Sequence, residues 1–397
     1  MLKRIPFLCL FIFIAVALTG RDIDLDSIYI QNDSPVYKRL ISQKTDTYAK
    51  AGSQKIDSGV IFARWISGTD IVYIREFQHV NILYFYNYAK SSRRESVRIP
   101  GAVVTVVQDP ENRYLYIKYI VPDEDADNEN HFLTIDLKTE KTKDRIANNL
   151  FLDFSVPSQG SSIIFESRDG ICEEFTETGL IRLLITPSTY SSIVHDSNPT
   201  IALFSPNRSR CLLLNGGGGS YKTMVLGGGH APNDISSVQE IFWSGNDSII
   251  YRAGYTGNYS IILETVRGGR QTLVQQSLNT NLCFSYLSGK VSFLYNQMII
   301  IYDFNNKNTI NTGLEGEDVY FAPGGALFVS LFNKNLFLTR EKAMLDRKNA
   351  IALNATAILQ IYKQNIDNDK IMLNEYSKNY FQKKIQAYSS FLDIKNE

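Results

Sequence analysis

The most constraining feature of this chain is a unit that recurs along it. Gln239–Ala253 reads as a short apolar strand, a Ser-Gly-Asn-Asp turn and a second apolar strand. Ile261–Glu264 and Gln271–Val274 supply a third and a fourth. β-Branched and aromatic side chains suit a pleated, half-buried surface, and Ser, Gly, Asn and Asp suit the tight turns between strands. One such antiparallel sheet cannot cover both of its faces, so it demands neighbours of its own kind.

The neighbours are present. Apolar strands read at Val60–Ile66, Ile71–Ile74 and Ile82–Tyr86, then Ala102–Val107, Tyr114–Ile120 and Phe132–Leu137. They continue at Phe151–Phe154, Ile163–Phe165 and Leu180–Leu184, then Ile201–Phe204, Cys211–Leu214 and Thr223–Leu226. After the first unit described come Cys283–Tyr286, Val291–Leu294 and Met298–Tyr302, then Val319–Phe321, Leu327–Val329 and Leu336–Leu338. A turn of Pro, Gly, Asn, Asp or Ser follows the first strand each time. About seven units start roughly 36 to 50 residues apart, a spacing of solenoids and propellers. Radial packing leaves only short, protected sheet edges, which predicts an all-β, about seven-bladed β-propeller over residues 60–340.

Ser205-Pro-Asn-Arg208, Asp109-Pro-Glu-Asn112 and Ala322-Pro-Gly-Gly325, set among Tyr- and Phe-rich strands, resemble the blades of TolB-type and other exported bacterial propellers. The Trp-Asp and Gly-His marks of WD repeats are missing. The resemblance implies a protein partner in outer-membrane or periplasmic assembly. The last unit shows three strands, so the ring needs a fourth from elsewhere. Within residues 21–59, Ser27-Ile-Tyr-Ile-Gln31 is the expected outer strand of that last blade.

From Glu341 the period changes. Ile351, Ala355, Ile358 and Tyr362 form a helical stripe, and Phe381, Ile385, Tyr388 and Leu392 repeat it. Residues 341–397 are therefore expected to form a C-terminal α-helical hairpin. Its stripes either pack against the propeller or dock a partner through Ile358, Tyr362 and Tyr388. Lys378, Lys383, Lys384 and Lys395 are expected on a solvated face.

Residues 1–20 read as a signal peptide. Lys3 and Arg4 precede an apolar run, Ile5–Leu18, that is short for a span of roughly 20 residues. Leu18-Thr-Gly-Arg21 resembles a lipobox, but Arg21 stands where the lipid-bearing Cys belongs. An exported, periplasmic protein is expected. An uncleaved signal anchor, giving membrane association through this segment, and a lost lipoprotein site stay open. Cys172, Cys211 and Cys283 allow at most one disulfide and read as buried thiols. With 41 basic and 41 acidic residues, nothing points to nucleic acid.

Motifs for chemistry are incomplete. Asn215–Thr223 resembles a phosphate loop, but Tyr221 occupies the second glycine position and the segment leads into a strand. It reads as a mobile interstrand flap. With Gly227–His230 it supplies the contact candidates Gly217, Gly218, Tyr221, Gly228 and His230. His79, His131, His195 and His230 have no zinc spacing, and no Gly-x-Ser-x-Gly elbow occurs. Asp22-x-Asp24-x-Asp26 resembles the start of a calcium loop but departs from it at Ser27 and Asp33, and the acidic run Asp123–Glu129 reads first as a solvated hairpin tip. No catalytic residue, metal or cofactor is assigned. The leading expectation is a non-enzymatic binding platform. The alternative is a small-ligand binder or a propeller enzyme, hydrolase or lyase, with its site at the central mouth. What lines the axis discriminates between them.

Overall fold

The computed structural model describes residues 34–393 apart from 78–79, 123–128, 147–153, 158–159, 191–199, 216–220, 227–234, 256, 266–267, 279–281, 286–288 and 369–372. For residues 190, 215, 221–226, 235–237, 239 and 283–285 only the backbone is described. The signal segment, Ser27–Gln31, Gly217, Gly218, Gly228, His79, His195, His230 and Lys395 lie outside the described residues.

The strands form antiparallel sheets packed in a ring. The first sheet holds β2 (Val60–Trp65), β3 (Asp70–Phe77), β4 (Val80–Asn87) and β5 (Ser92–Ile99). The second holds β6 (Ala102–Gln108), β7 (Tyr114–Val121), β8 (Glu129–Asp136) and β9 (Thr142–Ile146). The third holds β10 (Phe154–Ser155), β11 (Ser162–Ser167), β12 (Gly170–Phe175) and β13 (Ile181–Ile185). A seven-stranded sheet follows: β14 (Thr200–Phe204), β15 (Cys211–Asn215), β16 (Tyr221–Leu226), β17 (Ile235–Trp243), β18 (Ser248–Tyr255), β19 (Asn258–Thr265) and β20 (Arg270–Ser277). Then come β21 (Leu282–Ser285), β22 (Lys290–Tyr295), β23 (Met298–Asp303) and β24 (Asn308–Glu315). The last sheet holds β25 (Asp318–Phe321), β26 (Leu327–Phe332), β27 (Asn335–Arg340) and β1 (Gln54–Ser58).

This is an all-β propeller with C-terminal helices, in six sheets where about seven blades were expected. β17 causes the difference. Its start pairs with β16, through Ile235 and Val238, and its end pairs with β18, through Glu240 to Trp243. The fourth and fifth sequence units thereby merge into one sheet.

Apolar clusters join each sheet to the next. Leu115, Ile117 and Leu133 pack with Val72, Ile74 and Leu83; Tyr116 and Phe132 pack with Ile163 and Phe165. Around the circle, Val329 and Leu331 pack with Trp65, Ile71 and Tyr73, which closes the ring. The closing strand is β1, paired antiparallel to β27 with Gln54 opposite Leu338 and Ser58 opposite Asn335. The expected Ser27–Gln31 is therefore displaced by Gln54–Ser58, which immediately precedes β2 and needs no long return connection.

β1 is also latched to the first sheet. Asp57 Oδ2 accepts from the Tyr73 hydroxyl at 2.8 Å and from Arg93 Nη1 at 2.7 Å. Burial pushes the Asp57 carboxyl up, but the Ser58 N–H, the Tyr73 hydroxyl and the Arg75 and Arg93 charges outweigh it, and the pKa falls below the ordinary value. A depressed folded-state pKa adds stability that is complete above the unfolded value of about 4 and is lost as pH falls through the folded value. The melting temperature is expected to drop on acidification below about pH 4.5, and Asp57→Asn is expected to flatten that slope and to melt below wild type at higher pH, where the contribution of the carboxylate is complete. Calorimetry against pH checks this. An unchanged acid slope in Asp57→Asn would remove the latch from the account.

Helices cover the end of the ring near β24. α1 (Pro35–Lys50) starts at Ser34, whose hydroxyl accepts from the Tyr37 N–H at 3.1 Å, with Pro35 in the first turn. Its buried residues Leu40, Lys44, Thr47 and Tyr48 lie on one face. α2 (Glu341–Asp346), α3 (Lys348–Ile366) and α4 (Glu375–Asp393) follow the last sheet. Ile351, Ala355, Ile358, Tyr362, Phe381 and Tyr388 are all buried in one core with Leu40, Tyr48, Met298, Ile299 and Leu314. Each fully buried side chain of this size contributes on the order of 2 kcal/mol. Ile358, Tyr362 and Tyr388 are thus internal packing residues, and the partner-docking alternative for them is corrected. At Gly313, with φ +70°, a Cβ would stand 2.6 Å from Phe391 and 2.7 Å from Ile351, so only glycine lets these helices seat this closely.

The solvated lysine face is corrected too. Lys384 is fully buried; its Nζ lies 3.2 Å from Glu315 Oε1 and donates to Gln297. Lys44 Nζ lies 2.9 Å from Glu315 Oε2, and the Tyr388 hydroxyl donates to Oε1 at 2.7 Å. The Tyr48 hydroxyl donates to the Glu315 carbonyl. One buried carboxylate thus ties α1, α4 and β24 together. Lys383 is half-buried and donates to the Gly257 carbonyl, while Lys378 is exposed as expected.

Candidate functional site

The axis comes first, because it discriminates between the two expectations. The first strands of neighbouring sheets approach one another, β2 with β25, β21 with β25, and β10 with β14. These strands are mostly apolar, as in Ala102-Val-Val-Thr-Val-Val-Gln108. Their charged residues are engaged locally. The Arg64 guanidinium carbon lies 3.1 Å from the Tyr320 ring centroid and 4.5 Å from that of Phe62. Where β17 continues the merged sheet, its Glu240 accepts from the Leu282 N–H of β21 at 2.8 Å. Among the described residues, no group of three or more His, Cys, Asp and Glu could hold a metal ion. His131 stacks on Tyr119 at 4.9 Å, with Nε2 3.1 Å from Glu129 and Nδ1 3.4 Å from Asp144. Two carboxylates thus flank a single imidazole on the outer part of the second sheet.

A cleft of about 190 Å³ opens between the outer parts of the second and third sheets. Tyr114, Tyr116 and Ile163 line it, with Lys141, Lys143 and Arg145 on one side and Glu174, Thr176 and Glu177 on the other. The basic side follows from a tight turn. Asp136 Oδ1 accepts from the N–H groups of Lys138 at 2.9 Å and Thr139 at 3.0 Å. Glu140 then takes a left-handed φ of 59° and the chain returns as β9. Burial raises the Asp136 pKa, but those two N–H bonds, the Thr139 side chain and the Arg113 charge pull it below its ordinary value. Because strand side chains alternate, Lys143 and Arg145 share a face, opposite Thr134 and Phe132.

The walls hold each other at defined points. Arg145 Nη1 and Nη2 donate to Glu174 Oε1 and Oε2, each at 3.0 Å. Such a bidentate pair fixes geometry as well as charge. Arg113 pairs with Glu177 and lies 3.8 Å from Asp136. Tyr116 Oη and Thr176 Oγ1 lie 2.6 Å apart. Burial pushes the Tyr116 phenol well above its ordinary value, so it stays a neutral hydrogen-bonding group. Lys141 and Lys143 are exposed and carry no ion pair among the described residues. Behind the third sheet, Glu173 is buried and held by Arg182 at 2.6 Å, Arg208 at 3.0 Å and Ser162 at 2.6 Å. Burial raises its pKa, but these three donors bring it below the ordinary value, so a fixed carboxylate supports the cleft wall from behind.

Beyond Glu174 the same face of the third sheet continues outward. Ile181 stands opposite Glu174 and Leu183 opposite Cys172, so all four project from one face. Ile181 and Leu183 are 62% and 47% exposed. The cleft thus widens into a wedge with an ammonium-bearing wall and an aliphatic one.

Of the sequence-derived contact candidates, Ile358, Tyr362 and Tyr388 do not line this cleft. Tyr221 begins β16, opposite Val238. Cys172 and Cys211 are free and buried, as expected, and burial pushes the Cys211 thiol far up. The available sequence signal is Lys141, Lys143 and Arg145 at every second position, which puts two cations on one face of β9 with a third just before it.

No protein-family model matches the chain, and no curated protein matches it. Solved structures do. The chain is similar to one in the mitotic checkpoint complex (12% identity, TM-score 0.50, covering 72% of this chain and 90% of that one). It is similar to oligogalacturonate lyase from Vibrio parahaemolyticus (9% identity, TM-score 0.48, 73% and 94%). It is also similar to the β-propeller domain of the Trilobed protease from Pyrococcus furiosus (11% identity, TM-score 0.44, 64% and 81%). At such identities the likeness shows the fold alone, a β-propeller. The narrower TolB-type resemblance has no matching family model behind it.

Proposed function

We propose that this protein is a non-enzymatic binding platform that takes a protein partner into the wedge between its second and third sheets. The observation that carries this reading is the wedge itself. Two ammonium groups that carry no ion pair among the described residues face an exposed aliphatic wall, on a ring whose ends are welded by β1 and by the helices. A preorganised surface loses little conformational freedom on binding, so more of its contact energy appears as affinity. Export to the periplasm, and a partner in envelope assembly, are proposed from residues 1–20 and from the blade resemblance. Among the described residues no helix is long and apolar enough to cross a membrane.

The test is site-specific photo-crosslinking from residue 142, between the two lysines, in native envelopes. A discrete adduct that Lys141→Glu/Lys143→Glu weakens tenfold or more is the expected result, since charge reversal at a contact acts on encounter and affinity together. An adduct indifferent to that reversal would move the contact elsewhere. A small anion that raises the melting temperature of the wild type, but not of the double variant, would replace the protein partner with a small ligand.

A further inference from the structure

The outer edge of each sheet is where a propeller exposes unpaired backbone, and most outer strands here are guarded. β5 reads Ser-Arg-Arg-Glu-Ser-Val-Arg-Ile, β9 Thr-Lys-Asp-Arg-Ile, and β1 Gln-Lys-Ile-Asp-Ser. β20 is largely polar, and β24 is covered by α3 and α4. Charged side chains on an edge discourage another chain from pairing with it. β13 breaks the pattern. It reads Ile-Arg-Leu-Leu-Ile and is the last strand of its sheet. Its one charge, Arg182, is turned onto Glu173 at 2.6 Å. Leu180, Ile181 and Leu183 are among the most exposed large apolar residues described.

We infer that β13 accepts an added β-strand from a partner, an extended segment whose wedge-facing residues, every second one, include both aliphatic and acidic side chains. This rests on the platform reading of the wedge and specifies its occupant. The backbone edge supplies hydrogen bonds along the strand, while alternate side chains are read by the surface they meet. Wedge-facing aliphatic residues of the guest lie beside Ile181 and Leu183, and wedge-facing acidic residues two positions away meet the opposite wall. The acidic residues are set by charge: Lys141 and Lys143 are the cations of the opposite wall left without an ion pair among the described residues, whereas Arg145 and Arg113 are neutralised by Glu174 and Glu177. A basic or purely apolar guest would leave both lysines unanswered.

The test uses the full chain and a synthetic ten-residue peptide repeating Thr-Ile-Thr-Glu, which shows Ile and Glu on one face, followed by fluorescence anisotropy. Expected are saturable binding at micromolar concentration, weakening of tenfold or more in Ile181→Asp/Leu183→Asp, and similar weakening when alternate peptide nitrogens are methylated. The same peptide with Lys in place of each Glu should bind at least tenfold more weakly. Both substituted side chains are exposed, and an unchanged melting temperature confirms that the variant is folded. Binding indifferent to backbone methylation overturns strand addition, as does no binding of the acidic peptide to wild type. A concentration-dependent dimer abolished by Leu183→Asp would make a second copy of this chain the occupant and overturn the acidic partner. If the residue-142 adduct forms normally in Ile181→Asp/Leu183→Asp, strand addition falls while the platform reading stands. If the adduct is absent from wild type as well, the platform reading itself has failed.

Discussion

Glu315→Ala is expected to lower stability by about 3–5 kcal/mol, the cost of removing one partner from a buried ion pair. The carboxylate sits between two buried ammonium groups, Lys384 at 3.2 Å and Lys44 at 2.9 Å, and also accepts from Tyr388. Without it, two cations of like sign face each other in a region that excludes water. The loss exceeds that of an ordinary surface ion pair, about 0–1 kcal/mol, because solvent cannot screen it. The triple replacement Lys44→Met/Glu315→Met/Lys384→Met is expected to recover most of the loss, since apolar residues of similar volume often replace a buried ionic group without penalty. Urea midpoints for the three proteins check both statements. A midpoint for Glu315→Ala within 1 kcal/mol of wild type would show that the knot orders the helices without stabilising them.

A chain beginning at residue 60 is expected to lose most of its net stability, which for a domain is on the order of 5–15 kcal/mol. The cut removes β1 and with it the outer pairing of β27 and the Asp57 latch. It also removes Leu40, Tyr48 and Ala51 from the helical core, and Lys44 from Glu315. A chain beginning at residue 34 keeps all of these and is expected to melt like the longer one. Adding residues 34–59 back as a peptide should restore a cooperative transition to the shortened chain. If the chain beginning at residue 60 melts within a few degrees of the uncut one, ring closure by β1 is not what holds the ends together.

What was legible in the sequence followed burial. β3, β4, β7, β22, β23 and β26 are covered on both faces, so their apolar runs read plainly as strands. The outer strands β5, β9 and β24 were invisible because solvent or helices meet them on irregular faces and no apolar alternation results. β13 was read as a strand for the opposite reason: it is an outer strand that kept apolar residues. α1 was missed because Lys44 and Thr47 interrupt its buried stripe. The cleft was missed because its lysines and arginine look like any solvated run until the third sheet faces them.

Periodicity and turn chemistry act within a few residues of each other, so the sequence alone determined repeated antiparallel units, their radial packing and a helical C-terminal segment. Contacts between distant residues belong to no local period. Only the tertiary structure decided that β17 fuses two units, that Gln54–Ser58 closes the ring, and that Lys384 is buried on Glu315. The same holds for the β13 edge, which is unpaired among the described residues and lies across the cleft from two lysines. Each of these depends on which side chains meet across long separations in the chain, where burial and charge pairing outweigh local preference.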